Sequence, residues 1–314
     1  MNDMIITGKQ EITNQEITSG MFERFIAYLD VSPKSVQTYT RALRQFALWM
    51  DRNGITQPHR EDIIRYREEL SLSHKATTVT AYINAVRLFF RWTAQEGLYP
   101  DISDHIKGKK ISREPKKDYL TGRQVKKVLA AAAGEGLEEL RNYAMLSLMF
   151  TAGLRTIEVV RADIEDMRTL GDEDEDYTVL YLQGKGDDEK AKFVRIVPQV
   201  EQAIRRYLKA RGKVSGTDPM FTSCSNNSYG QRLSTRSVSG IVKEAFRAAG
   251  YDSSRLTAHS TRHTAVTLAL LAGEDIQKVQ KFARHSNIDT TLIYSHVLEK
   301  AKDTCAESIA SSIF

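Results

Sequence analysis

The residues able to do chemistry crowd between His259 and His296. The stretch reads His259-Ser-Thr-Arg262-His263, then an apolar helix-like run, then Arg284-His285-Ser286, Tyr294 and His296, and it holds four of the chain's seven histidines. A histidine and an arginine three positions apart share one face of a helix. His259 also opens the helical pattern, where unpaired N–H groups and the helix dipole attract anions. A planar anion clamp, a proton carrier and a phenol hydroxyl in one stretch suit chemistry on a phosphate. His263 is the adjacent rival of His259. Helical geometry turns it about 100° from Arg262, toward a core.

Two upstream segments carry further candidates. Arg155 follows Gly153-Leu154 at the end of an apolar helical run, where burial is expected, and a buried charge needs a partner. Glu158, one turn on, supplies one. Arg155 therefore fits two roles, a structural ion pair or a phosphate clamp that Glu158 orients. Lys185 lies in Gly184-Lys185-Gly186-Asp187-Asp188, which has the glycines of a hairpin tip. It fits a solvated turn residue or a mobile ammonium delivered to a site, with Lys190 and Lys192 as competitors. Tyr294 stands beside Leu292 and Ile293, company typical of a packed tyrosine. The chain has thirteen tyrosines, and spacing alone does not single this one out.

The elements that must position these groups are mostly helices. Residues 1–16 read as a polar tail. Phe22, Phe25, Ile26 and Leu29 fit one helix face. Ser32-Pro33 is an N-cap with proline at the first helical position, and Val36, Tyr39, Leu43, Phe46 and Met50 continue that helix to Asn53-Gly54. Further helices are predicted over 60–70 and 76–96. Residues 17–106 thus form a four-helix bundle. Its polar faces carry Lys34, Arg41, Arg44, Lys75, Thr77, Thr78 and Arg87, residue types suited to phosphate contacts and equally to a solvated face. Residues 107–118 hold a basic run, including Lys109 and Lys110, and read as an exposed linker.

The second domain, 119–314, opens with a helix capped by Thr121 and continues with one over 137–152. Strands are predicted over 177–183 and 192–197, then helices over 198–211, 234–249, 259–272, 275–284 and from 289 onward. A terminal helix over 297–314 carries Val297, Leu298, Ala301, Ile309, Ile313 and Phe314. The fold expected is mostly α with a small antiparallel sheet.

Composition narrows the partners. The net charge is +5 and the pI about 9.0, which permits a nucleic-acid partner. Acidic runs at 172–176 and 187–189 offset a more basic remainder and read as solvated loops. The two cysteines, Cys224 and Cys305, lie far apart in no metal-like spacing, which fits a reducing compartment. Residues 1–16 lack the apolar core of a secretory signal, and no apolar run reaches the length of a bilayer span. A soluble, cytoplasmic protein is expected.

Read in series, four segments resemble the tyrosine recombinases, the phage-integrase and Xer-like group. They are Thr151-Ala-Gly-Leu-Arg155-Thr-Ile-Glu158, Gly184-Lys185-Gly186, His259-Ser-Thr-Arg262-His263-Thr, and His285-Ser-Asn-Ile-Asp-Thr-Thr-Leu-Ile-Tyr294. Each is weak alone; their order and spacing together are specific. The bundle resembles the family's SAM-like core-binding domain, so the likeness spans nearly the whole chain. It implies two domains closing as a clamp on double-stranded DNA at inverted-repeat core sites. Arg155 and Arg262 would grip the scissile phosphate, Lys185 protonate the leaving 5′ oxygen, and His259 serve as acid/base. His285 would donate to the phosphate, Tyr294 attack it, and Glu158 support the first arginine. No metal or cofactor is implied. Two departures stand out: Ile157 where a small hydroxyl residue is common, and Ala283-Arg284 where Leu-Gly is usual.

The resemblance implies strand exchange through a 3′-phosphotyrosine, by a tetramer whose C-terminal helices pass between protomers. Integration and excision of a mobile element is the expected task, with an accessory excision factor as a further partner. A Xer-type dimer-resolving recombinase, a type IB topoisomerase-like relaxing enzyme and a non-catalytic DNA-binding regulator are the rivals.

Overall fold

The computed structural model describes residues 16–110, 118–171, 175–184, 189–294 and 304–314. The chain divides into two compact units, with the boundary between Ser112 and Arg113.

The first unit is a bundle of α1 (Ser19–Tyr28), α2 (Pro33–Arg52), α3 (Arg60–Ser73) and α4 (Ala76–Gln95). Ser32 caps α2 by accepting from the Ser35 N–H at 3.3 Å. Gly54, at φ 62°, then lets the chain leave it without strain. Phe25, Phe46, Trp49, Tyr66, Phe89 and Phe90 fill the core. Large aromatics contribute much of the apolar area a bundle this small must bury. Lys34, Arg41, Arg44, Lys75, Thr77, Lys109 and Lys110 are exposed and Thr78 is half-buried. Arg87 is half-buried too, and its Nε is buried without a hydrogen-bond partner. Residues 107–110 lie on the bundle rather than apart from it. The Lys107 carbonyl accepts from Arg67 at 3.1 Å and the Lys109 carbonyl from Thr80 at 3.0 Å.

The second unit is built on α6 (Leu137–Ala152), preceded by α5 (Gly122–Ala131). Ala144, Met145, Leu146, Leu148 and Met149 are all fully buried, so the second half of this helix is covered on every side and runs through the core. It packs against α8 (Pro198–Arg211) and α10 (Ala258–Leu271). A short helix, α7 (Thr156–Arg161), leads into three strands: β1 (Met167–Gly171), β2 (Asp176–Leu182) and β3 (Lys192–Ile196). They form an antiparallel sheet in the order β1-β2-β3, with Met167 opposite Leu180 and Val179 opposite Arg195. Helices α9 (Thr235–Ala248), α11 (Ile276–Ala283), α12 (Asp289–Leu292) and α13 (Cys305–Ile313) complete the unit.

The chain is therefore mostly helical with one small antiparallel sheet. Strand β1 and helix α7 are elements that periodicity did not reveal. Five residues reading Met-Arg-Thr-Leu-Gly on a sheet edge show little apolar alternation, and six residues are too few to establish a helical period. Part of the acidic run, 172–174, the hairpin tip, 185–188, and residues 295–303, which include 297–303 of the expected terminal helix, lie outside the described residues. The remaining part, α13 and the terminal Phe314, exposes Ile309, Ile313 and Phe314.

Candidate active site

The site begins where α6 stops. Gly153 caps it in the left-handed conformation, at φ 58°, and turns the chain sharply into Leu154-Arg155. The Gly153 carbonyl then faces inward and accepts from Arg262 Nη1 at 2.6 Å and from Arg284 Nη2 at 3.1 Å. One main-chain oxygen thus fixes two guanidiniums that lie more than a hundred residues away in sequence.

Glu158, in the first turn of α7, is the second anchor. Its carboxylate accepts from the Arg155 backbone N–H at 2.7 Å, from Arg155 Nη1 at 2.8 Å and from Arg284 Nη2 at 3.0 Å. Its side chain is 1% exposed. Burial alone would raise its pKa. The Arg284 charge, the Arg155 N–H and the hydrogen bonds from both guanidiniums outweigh that and hold it below the ordinary carboxylate range. Arg155 keeps about a third of its side chain exposed, 33%, so it has a partner on one side and an open face on the other. The structural ion pair with Glu158 is formed, and it leaves part of the side chain exposed.

Arg262 is buried, at 1% exposure. Its Nη2 has no hydrogen-bond partner among the described residues. Burial, with the like charges of Arg155 and Arg284, pushes its pKa down to about 9, against the pull of Glu158 and Tyr294. A buried donor left unsatisfied is costly, and an incoming anion would satisfy it.

His259, the second residue of α10, is exposed, as expected of a helix-opening residue. His285 follows α11, and its Nδ1 lies 2.9 Å from the hydroxyl of the buried Thr291. Burial lowers the His285 pKa to about 4, helped by the charges of Arg262, Arg155, Arg284 and His259. The ring is neutral at ordinary pH. When Thr291 donates to Nδ1, Nε2 carries the proton.

Tyr294 is buried with Val266, Leu270, Val279 and Ala283. Its hydroxyl hydrogen-bonds His263 Nδ1. Burial pushes its pKa up to about 12, with Arg262 pulling the other way. The Arg262 charge favours phenolate, but desolvation exceeds it in this arrangement. His263 corrects an expectation. It is half-buried rather than lost in the core, with its ring centroid 5.2 Å from Tyr294 and 4.6 Å from His259. The estimated 100° turn away from Arg262 is what carries it to the tyrosine.

Lys185 lies outside the described residues, as does His296. The base of the hairpin is described: Arg161 donates to the Gly184 carbonyl at 2.7 Å. Lys190, one competitor for the Lys185 role, is occupied elsewhere. Its Nζ is 2.6 Å from both Asp163 and Asp166, beside Arg232 at 2.5 Å from Asp163. Lys192 is an exposed residue of β3.

Comparison with known proteins decides the affiliation. Residues 118–301 match the phage integrase family and residues 22–97 its N-terminal SAM-like domain. The chain is 30% identical to the tyrosine recombinase XerC of Chlamydia trachomatis over 75% of this chain and 71% of that protein.

The chain belongs to the phage integrase family.

A tyrosine recombinase of Synechococcus elongatus is 28% identical over 89% of each chain, and XerD of Bifidobacterium longum 29% identical over 88% and 92%. Among solved structures, XerH bound to a palindromic difH substrate superposes with a TM-score of 0.74 at 19% identity, covering 94% of this chain and 85% of that one. A lambda integrase dimer bound to a COC′ core site gives 0.63 at 16% identity over 86% and 95%. These two show the shared fold. The protein is a tyrosine site-specific recombinase.

Within this recombinase the fold brings Arg155, Glu158, Arg262 and His285 into one cluster, with Tyr294 and His259 at its margin. Two residues there were not assigned from sequence. His263 had a signal, its place beside Arg262. Arg284 had one too, as the arginine standing where glycine is usual, but nothing in the sequence indicated that its side chain would turn inward to Glu158.

Proposed function

We propose that Arg155 and Arg262 bind the scissile phosphate of a DNA strand and Tyr294 attacks it. The P–O5′ bond breaks as the tyrosine ester forms, leaving a 3′-phosphotyrosine and a free 5′ hydroxyl. The guanidiniums stabilise charge on the non-bridging oxygens better than ammoniums would, because their planar forks match an anion's geometry. Neutral His285 donates through Nε2. Lys185 protonates the leaving 5′ oxygen. The phenol proton goes to a histidine, His259 by resemblance, with His263 the nearer acceptor by contact. The ester conserves the bond energy, so a 5′ hydroxyl from a second duplex reverses the step and rejoins the strands.

The observation that carries this is the buried, unpartnered Nη2 of Arg262 beside the Glu158-held Arg155. These two guanidiniums, with one carboxylate among the hydrogen bonds they make to the described residues, form a site for an anion. Around this chemistry we place a tetramer acting in the cytoplasm on two DNA duplexes with inverted-repeat sites. The exposed Ile309 and Ile313 of α13, with Phe314 after it, pack on a neighbouring protomer. The exposed cations Lys34, Arg41, Arg44, Lys75, Lys109 and Lys110 contact phosphates, with Thr77, Thr78 and Arg87 beside them. The biological task is integration and excision of a mobile element, with an accessory excision factor.

The decisive probe is a duplex selected from a random-sequence pool by binding to the chain, nicked near its centre so that cleavage is trapped. Wild type forms a covalent protein–DNA adduct, and Tyr294→Phe forms none while binding the duplex equally well. Adducts from the phenylalanine variant would remove Tyr294 from its role. Relaxation of supercoiled plasmids lacking the selected site would favour the topoisomerase alternative.

A further inference from the structure

Arg284 is the only non-glycine residue with a left-handed backbone among the described residues of the second unit, at φ 53°. The conformation suits glycine and is strained for a residue with a Cβ. What the chain holds there instead is a long side chain folded inward, 9% exposed. It donates to the carbonyls of Phe282 at 2.8 Å, Ala152 at 3.4 Å and Gly153 at 3.1 Å, and to Glu158 at 3.0 Å. Its own carbonyl accepts from Arg155 Nη2 at 3.2 Å. One residue therefore touches the turn before Arg155, the carboxylate that holds Arg155, and Arg155 itself.

The charge count follows. Among the described residues, the hydrogen bonds made by Arg155, Arg262 and Arg284 reach one carboxylate, that of Glu158. Without Arg284, Glu158 would belong to Arg155 alone and neutralise it. A glycine at 284 would supply the same carbonyl but not the third cation. We propose that Arg284 is a positioning residue for strand cleavage, which shares Glu158 with Arg155 and so leaves the Arg155 guanidinium oriented but not neutralised toward the scissile phosphate. This rests on Arg155 and Arg262 being the phosphate clamp. Glu158 itself is consistent with it: among the influences holding its carboxylate ionised, the Arg284 charge is the largest.

The test uses the full chain and the selected, nicked duplex. It follows single-turnover adduct formation, duplex affinity and thermal unfolding together. Arg284→Gly slows adduct formation about 30-fold, below the cost of losing a direct oxyanion donor, and leaves affinity within about twofold. Arg284→Gln, a shorter and neutral side chain that keeps amide hydrogen-bond donors, shows the same loss and replaces the glycine variant should that one not fold. Adding Glu158→Gln to Arg284→Gly restores two unneutralised guanidiniums and regains at least about fivefold. A residue that merely stops α11 gives the opposite pattern: the glycine variant cleaves like wild type, or Glu158→Gln adds its own loss. Either result overturns the proposal while Tyr294→Phe still forms no adduct. Adducts from Tyr294→Phe would overturn the site assignment and this proposal with it.

Discussion

His285 shows how much of the site is set by neighbours rather than by residue type. An unperturbed histidine titrates near pH 6.5; here burial and three guanidiniums bring it to about 4. The native chain therefore refuses a proton that the unfolded chain accepts between those values. Stability falls as pH drops from about 6.5 toward 4, and below that this residue adds no further slope. For the proposed cleavage step, the same shift would keep the ring a neutral donor across the physiological range. An NMR titration of the His285 ring is expected to show a midpoint near 4. A midpoint near 6.5 would mean that the cationic cluster is not formed in solution. The series of motifs made His285 legible as a candidate. Its protonation state was not, because that depends on burial and on the charges of Arg262 and Arg155, which only folding brings about.

Helix ends, more than helix bodies, do the positioning. Gly153 ends α6, Arg155-Glu158 open α7, His259 opens α10 and Arg284 ends α11. Termini leave backbone groups unsatisfied, which is why a carbonyl such as that of Gly153 is free to hold two arginines. Gly153→Ala puts a methyl group 3.3 Å from the Phe282 ring and 3.5 Å from Ala265. It also forces alanine into a left-handed backbone. We expect a loss of about 1–2 kcal/mol in stability, read as a lower thermal midpoint. Cleavage should fall more than DNA affinity, since the displaced carbonyl registers Arg262 and Arg284. Equal losses in both would show that the turn serves stability alone. The bodies of these helices were readable from apolar spacing. The αL turn at Gly153 was readable from glycine after an apolar run, but its double acceptor role was not.

At the scale of the whole molecule, each unit has its own core among the described residues: aromatics in the first, and the α6-centred aliphatic core in the second. No helix among the described residues is long and apolar enough to cross a membrane. The basic excess is modest overall, yet Lys34, Arg41 and Arg44 all project from α2, within about 80° of one another by helical rotation. If they neutralise phosphates, each releases counterions and steepens the salt dependence of binding. Replacing all three by alanine should weaken binding to many duplex sequences alike. It should also reduce the slope of log affinity against log salt by about 3. An unchanged slope would return these residues to the role of a solvated face.

The sequence by itself determined the helical periods, the caps at Ser32 and Thr121, strands β2 and β3 of the sheet, and the candidate groups whose types suit chemistry on a phosphate. These are local properties, written in spacing and residue type. Only the tertiary structure decided which groups meet. It put Lys190 between Asp163 and Asp166, turned His263 to Tyr294, raised the tyrosine's pKa by burial, and set Arg284 against Glu158. Each of those outcomes is a balance of desolvation and charge between segments far apart in sequence, and no period or motif in a single segment encodes it.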